Sequence, residues 1–79
     1  MYYIYIIKSE SNGKYYVGYT SNLSQRIKSH NSGKNTSTKS GIPWKIVYSE
    51  NFKEKKLAWL RERQIKNYKG GETFKKLIA

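Results

Sequence analysis

Cysteine is missing from the 79 residues, and so is aspartate. Without thiols no disulfide or thiolate-held metal can staple the chain, so its stability has to come from packing. A cysteine-free composition fits the cytoplasm. The acidic side chains are glutamates only: Glu10, Glu50, Glu54, Glu62 and Glu72. A two-metal nuclease gathers several carboxylates around its ions, and acids this scattered do not supply such a cluster. An enzyme built on this chain is therefore expected to use one metal and one carboxylate. Long hydrophobic runs are also scarce. The opening MYYIYII stops at Lys8 and lacks a basic start, so it is expected to be neither a signal peptide nor a membrane span. No segment opposes a basic face to a wide Trp, Phe and Leu face, which argues against binding to an anionic membrane.

Positive charge, by contrast, is abundant. Sixteen Lys and Arg against five acids give a net charge of +11. A polyanionic partner relieves the self-repulsion of such a surface, and nucleic acid is the leading candidate. The plainer alternative is a lysine-rich surface that only keeps the protein soluble. A chain this short buries about 60 to 65% of its unfolded surface, so residues 1–79 are expected to form a single domain with one thin core.

Tyrosine is concentrated in one place. YIYIIKSESNGKYYVGYT, residues 3–20, carries Tyr3, Tyr5, Tyr15, Tyr16 and Tyr19 where valine would bury the same faces without a hydroxyl to satisfy. Residues 2–8 and 15–20 are β-branched and aromatic, and Asn12-Gly13 predicts the turn of a hairpin. That turn pairs residues whose numbers sum to about 25, placing Tyr3, Tyr5 and Ile7 on one face with Tyr16 and Gly18.

SNLSQRIKSHNSGK predicts a helix with Asn22 as its N-cap, Leu23 and Ile27 on its buried stripe and Gly33 at its end. Arg26 and His30, at i and i+4, flank that stripe and look toward the sheet's rim. NSGKNTSTKSGIP reads as a flexible basic loop. WKIVYSENF alternates Trp44, Ile46 and Tyr48 against Lys45, Val47 and Ser49, as a third strand would. KEKKLAWLRERQIKNYK then predicts a helix with Leu57, Ala58, Leu60, Gln64, Ile65 and Tyr68 on one side and Glu62 at its edge. Gly70-Gly71 ends it, and ETFKKLIA forms a short last helix packing Phe74, Leu77 and Ile78.

These elements can bring together Tyr5, Tyr16, Arg26, His30 and Glu62, a set suited to phosphodiester cleavage. Hydrolysis needs an activated water, stabilisation of the charge that builds on the pentavalent phosphate, and help for the leaving oxygen. Arg26 can fork onto phosphate oxygens, Glu62 can hold Mg²⁺, and a tyrosine hydroxyl of lowered pKa can take the water's proton. Each residue also has a plainer reading. Tyr5 and Tyr16 can be sheet-packing aromatics, Arg26 and His30 solvated helix residues, and Glu62 half of an i, i+4 ion pair with Lys66. Gly18 can simply relieve crowding between strands. Lys34 and Lys39, in the loop, are expected to contact nucleic-acid phosphates without reading sequence.

The order of these residues resembles the GIY-YIG nuclease superfamily, in its small single-domain UPF0213-like branch. YIY at Tyr3 to Tyr5 stands where that family has its first motif, with Tyr3 in place of glycine, and YVG at Tyr16 to Gly18 stands at the second. NLSQRIKSHNSGK, with Arg26 and His30, and LRERQIK, with Glu62, match the later motifs. The resemblance implies an α/β (α+β) fold, in which helices flank a three-stranded antiparallel sheet in the order β-β-α-β-α-α. It also implies a Mg²⁺- or Mn²⁺-dependent endonuclease site on one sheet face, acting on DNA with low sequence preference. Carried over by position, Tyr16 is the general base or water-positioning group, Tyr5 its hydrogen-bonded neighbour, Arg26 the phosphate clamp and Glu62 the metal ligand. His30 would assist near the attacking or leaving oxygen. On this reading Gly18 leaves room above the tyrosines for a phosphate, while Tyr3, Tyr15 and Tyr19 complete the hairpin's packing. The alternative on the same fold is a non-catalytic basic module that binds nucleic acid.

Overall fold

The computed structural model describes residues 1–79. Strands β1 (Tyr2–Ser9) and β2 (Tyr15–Thr20) form a hairpin, followed by helix α1 (Leu23–Asn31) and a 3₁₀ segment (Thr36–Gly41). Strand β3 (Trp44–Phe52) and helices α2 (Lys55–Lys66) and α3 (Glu72–Ile78) complete the chain. The sheet order is β2-β1-β3 with both pairings antiparallel. This is the expected three-stranded α+β architecture. No helix is long and apolar enough to cross a membrane.

β1 is central because its residues Ile4 to Ile7 are apolar or aromatic on both faces, as a strand covered on both sides requires. Ile4 and Ile6 pack against Ala58, Ile65 and Phe74 of α2 and α3. Tyr5 and Ile7 point the other way and pack with Trp44, Leu23, Ile27 and Ile42. The core is therefore two thin layers sharing one strand, not the single layer expected.

The hairpin register lies two residues from the expected one: Tyr5 faces Gly18 and Ile7 faces Tyr16. Asn12-Gly13 does not form a two-residue turn. The Ser9 N–H donates to the Lys14 carbonyl at 2.8 Å and the Gly13 N–H to the Ser9 carbonyl at 3.0 Å, so the loop runs from Glu10 to Gly13. Ser9 Oγ accepts from the N–H groups of Ser11 and Asn12, and Asn12 Oδ1 accepts from the Lys14 N–H. These local side-chain bonds outcompete the tighter turn. A slip of two residues leaves every side chain on its own face, so the partition of Tyr3, Tyr5, Ile7, Tyr16 and Gly18 stands.

β3 departs from simple alternation. Ile46 lies opposite Ile7 and Tyr48 opposite Ile6, so Val47 is an extra residue at a bulge. Before it, Trp44 and Ile46 lie on Tyr5's face; after it, Tyr48 and Phe52 lie on the other and pack on the Ile4 layer. The expected grouping of Trp44, Ile46 and Tyr48 is thus broken. On α2 only Ala58 and Ile65 of the expected stripe are buried, while Leu57 and Leu60 are each 46% exposed. A three-stranded sheet is too narrow to cover the whole apolar side of the helix.

Residues 34–43 are not a flexible loop. Asn35 Oδ1 caps the 3₁₀ segment by accepting from the Ser37 N–H. The Asn31 side-chain amide brackets the Trp44 backbone, its Oδ1 accepting from the N–H and its Nδ2 donating to the carbonyl. The Trp44 indole N–H donates to the Thr38 carbonyl at 2.7 Å. Polar residues that read as a linker are here bound to backbone groups and bury Thr38.

Candidate active site

Tyr5 projects from the middle of β1 and is 2% exposed. Its phenol lies directly over Gly18 on the neighbouring strand: a Cβ at position 18 would stand 2.5 Å from Tyr5 Oη and 2.7 Å from Cζ. The glycine therefore makes room for the phenol itself, which corrects the expectation that it leaves space for a phosphate. Tyr16 shares the face, its ring 6.5 Å from that of Tyr5, and it is only partly buried.

α1 is laid across this face by Leu23 and Ile27 and fixed at its start by Asn22, whose Oδ1 accepts from the Gln25 N–H at 3.1 Å. That orientation turns His30, in the last helical turn, inward to 1% exposure. Its Nε2 lies 2.9 Å from Tyr5 Oη and its Nδ1 2.9 Å from Thr38 Oγ1. Thr38 Oγ1 in turn donates to the Asn35 carbonyl, which leaves it to accept from His30 Nδ1–H. The tautomer follows: His30 Nε2 carries no proton, and the Tyr5 hydroxyl donates to it. The edge of Tyr16 meets the same imidazole, with ring centroids 5.0 Å apart. Sequence reasoning expected His30 at the rim, near a reacting oxygen. Its burial behind Tyr5 and Tyr16 instead limits it to acting through Tyr5.

The electrostatics match this arrangement. Burial, reinforced by Tyr16 and Glu62 and opposed by Arg26, pushes the Tyr5 hydroxyl well above its ordinary pKa of 10.0. Tyr5 is thus a phenol held as a donor, which suits a hydrogen-bonded neighbour of the reacting group and not a base. Burial and then the Arg26 charge hold His30 below its ordinary 6.5, so its imidazole is neutral at neutral pH.

Arg26 is exposed on α1, and its charge is felt by both Tyr5 and His30. Glu62, on α2, is felt at Tyr5 as well. Its side chain is 13% exposed, with Lys66 Nζ 3.6 Å from Oε1, so the expected i, i+4 pair is present. Of the five predicted residues, Tyr5, Tyr16 and His30 thus meet directly, and the charges of Arg26 and Glu62 reach Tyr5. Lys34 and Lys39 do not join them: both are exposed, one just before the 3₁₀ segment and one within it, and neither forms an ion pair.

A tyrosine pair, one buried and one partly exposed, braced by a histidine and with a glycine cleared beneath the buried phenol, falls on the residues of both expected tyrosine motifs. The sequence profile of the GIY-YIG catalytic domain matches residues 1–75. The chain belongs to the GIY-YIG family. It is 43% identical over 68 residues to a UPF0213 protein of Staphylococcus haemolyticus, covering 85% of this chain and 82% of that one. It is also 43% identical over 67 residues to a UPF0213 protein of Clostridium perfringens, covering 84% and 71%. The solution NMR structure of a UPF0213 protein from Bacillus halodurans superimposes with a TM-score of 0.50 at 31% identity, over 94% of this chain and 92% of that one.

Two groups in this GIY-YIG domain escaped sequence reasoning. Thr38 completes the line from Tyr5 through His30, yet it sits in a stretch whose composition gave no signal. Glu50 is engaged on the opposite face by Arg61, through Nη2 at 2.9 Å and Nε at 3.2 Å, and it accepts from the Tyr48 hydroxyl. Burial alone would raise the Glu50 pKa, but the hydrogen bonds from Arg61 and Tyr48 prevail and hold it below its ordinary 4.5. With Glu50 so committed and Glu10, Glu54 and Glu72 exposed, Glu62 is the carboxylate whose charge reaches Tyr5.

Nowhere do three His, Cys, Asp or Glu side chains come together to cage a metal. Both ring nitrogens of His30 are already bonded. A single carboxylate still suits Mg²⁺, which keeps several waters and takes its remaining oxygen ligands from substrate phosphate.

Proposed function

We propose that the domain formed by residues 1–79 is a metal-dependent endonuclease that hydrolyses DNA phosphodiester bonds with low sequence preference, acting in the cytoplasm. The observation that carries this reading is the convergence of Tyr5, Tyr16 and His30 on one sheet face within reach of the Arg26 and Glu62 charges. Family membership supports nuclease-like chemistry in general; the residue roles are those the resemblance implies, and the contacts of Tyr5, Tyr16 and His30 support them. Tyr16, partly exposed in front of the buried line, meets the attacking water and orients it or takes its proton. Tyr5 holds its own proton on His30 Nε2 and fixes the floor on which Tyr16 packs. Arg26 binds the non-bridging phosphate oxygens by its planar fork. Glu62 would hold Mg²⁺ or Mn²⁺, which would supply charge stabilisation to the pentacoordinate phosphate. Lys34 and Lys39 add phosphate contacts away from the reacting centre.

The reading is tested with labelled single-stranded, duplex and flap DNA in Mg²⁺, Mn²⁺ or EDTA. The parent should cleave only with metal. Glu62→Gln should lose cleavage at nearly constant side-chain volume, with fold and DNA binding retained. The Lys66 partner of Glu62 favours a second reading, a basic binding module without turnover. Binding of all three substrates with no cleavage of any would decide for that module.

A further inference from the structure

One stripe of α2 joins the candidate site at Glu62 to an exposed tryptophan that the catalytic reading does not use. Lys55, Trp59, Glu62 and Lys66 recur at i, i+4, i+7 and i+11, and so lie along one stripe of the helix. Trp59 is 38% exposed, whereas Trp44 is buried and hydrogen-bonded. The Arg63 guanidinium lies over the Trp59 ring, 4.9 Å from its centroid. Trp59 also borders an open depression of about 460 Å³ with Tyr19, Lys55 and Lys56. A second depression, about 490 Å³, shares Tyr19 and Lys55 and extends through Ser21 to Arg26. The two join into one track running from Arg26 to Trp59, with three cations and no carboxylate among the lining residues.

Charge alone does not explain an exposed indole. A duplex presents phosphates to such a track and keeps its base faces stacked inside, so it has no use for Trp59. An unpaired strand offers both phosphates for the cations and a free base face for the ring. Trp59 stands one helical turn from Glu62, about 4.5 Å along the axis, which is close enough for a nucleotide next to the bound phosphate to reach it. We propose that this track holds an unpaired nucleic-acid strand, with a base flanking the bound phosphate stacked on Trp59 and neighbouring phosphates neutralised by Lys55 and Lys56. The inference rests on the nuclease reading for which phosphate lies at Arg26, but it concerns binding and is measured without turnover.

Affinities of the whole protein for a labelled oligodeoxythymidine and a blunt duplex, both in EDTA, test it. The parent should bind the oligodeoxythymidine more tightly than the duplex, and tryptophan emission should be quenched by the former only. Trp59→Ala should weaken oligodeoxythymidine binding by about 5- to 150-fold, the range of one lost base stack, with duplex binding nearly unchanged. Trp59→Phe should restore most of the loss, and if the alanine variant melts early, Trp59→Leu, which keeps apolar bulk without a stacking face, takes its place with the same expected loss. Equal losses on both ligands, or no loss on either, would overturn the proposal. A protein that cleaves nothing in Mg²⁺ yet shows this Trp59 pattern would keep the track and lose the nuclease reading. One that cleaves normally with Trp59→Ala neutral in binding would do the reverse.

Discussion

The two faces of the sheet are built from alternate residues of the same strand, yet they are made of different material. Toward α2 and α3, Ile4 and Ile6 meet Ala58, Ile65 and Phe74, an apolar layer that stabilises through area removed from water. Toward α1 and the 3₁₀ segment, Tyr5 meets His30 and His30 meets Thr38, three polar groups buried where isoleucine or valine would fill the space. No buried side-chain polar atom is left without a partner, so the polar face is fully satisfied rather than strained. Such a line gives little net stability over an apolar filling, and it fixes one tautomer and one hydroxyl direction. The comparison teaches that one face holds the domain together and the other holds a chemical arrangement in place.

The largest expected effect separates the faces by a pair of single-atom deletions. Tyr16→Phe, on the polar face, should lower turnover by about 10²- to 10⁴-fold, the scale of general acid–base catalysis, with DNA affinity nearly unchanged. Tyr15→Phe should leave turnover almost intact, because Tyr15 points to the other face and packs edge-on against Phe74 with ring centroids 5.3 Å apart. Steady-state cleavage of both variants checks this. Equal activity of the two would make Tyr16 an ordinary packing residue, and loss in Tyr15→Phe alone would place the site on the apolar face.

A smaller effect comes from filling the space between the strands. Gly18→Ala puts a methyl group 2.5 Å from Tyr5 Oη, so the phenol must leave its position and with it His30 Nε2. The expected cost is about 1 to 3 kcal/mol of stability, typical of overpacking, together with a fall in cleavage. Urea denaturation measures the first and the cleavage assay the second. If the variant is as stable and active as the parent, the Tyr5–His30 bond contributes to neither.

How far this contrast was legible in the sequence depends on the kind of signal. Period-two alternation assigned Tyr3, Tyr5, Ile7, Tyr16 and Gly18 to one face correctly, and it did so despite a register two residues off, since faces depend only on parity. The bulge at Val47 left no trace in the alternating pattern of WKIVYSENF, and so Tyr48 was assigned to the wrong side. Asn22 as a cap and Gly33 as a terminator were readable because capping is local; Gly33 takes φ +80. Asn31 and Thr38 were unreadable because their partners, the Trp44 backbone and His30, lie far along the chain, and in sequence such residues look like any polar loop. That Tyr5, Tyr16 and His30 come together was legible from motif order, but the depth of His30 was not, as it depends on how α1 is rolled against the sheet.

The smallest effect divides the two faces by pH. His30 is held below its ordinary value near 6.5 by burial first and by Arg26 second, so below about pH 6.5 the unfolded chain takes up a proton that the folded chain refuses. The unfolded state then binds more protons, and stability falls as pH falls, by at most about 1.4 kcal/mol per pH unit for this one group, until the folded imidazole also protonates. Glu50, on the opposite face, is depressed from 4.5, so its contribution is intact above that pH and lost only below it. Urea midpoints between about pH 7.5 and 5 should therefore report the polar face, and those below about pH 4.5 should add the apolar one. Arg26→Gln removes the lesser of the two causes from an exposed position, so the total loss in the upper window should shrink without vanishing. A midpoint that stays flat from about pH 7.5 to 5 would mean that His30 keeps an ordinary pKa in the fold, and the Tyr5 hydroxyl would then lose its neutral Nε2 acceptor as the pH falls through about 6.5.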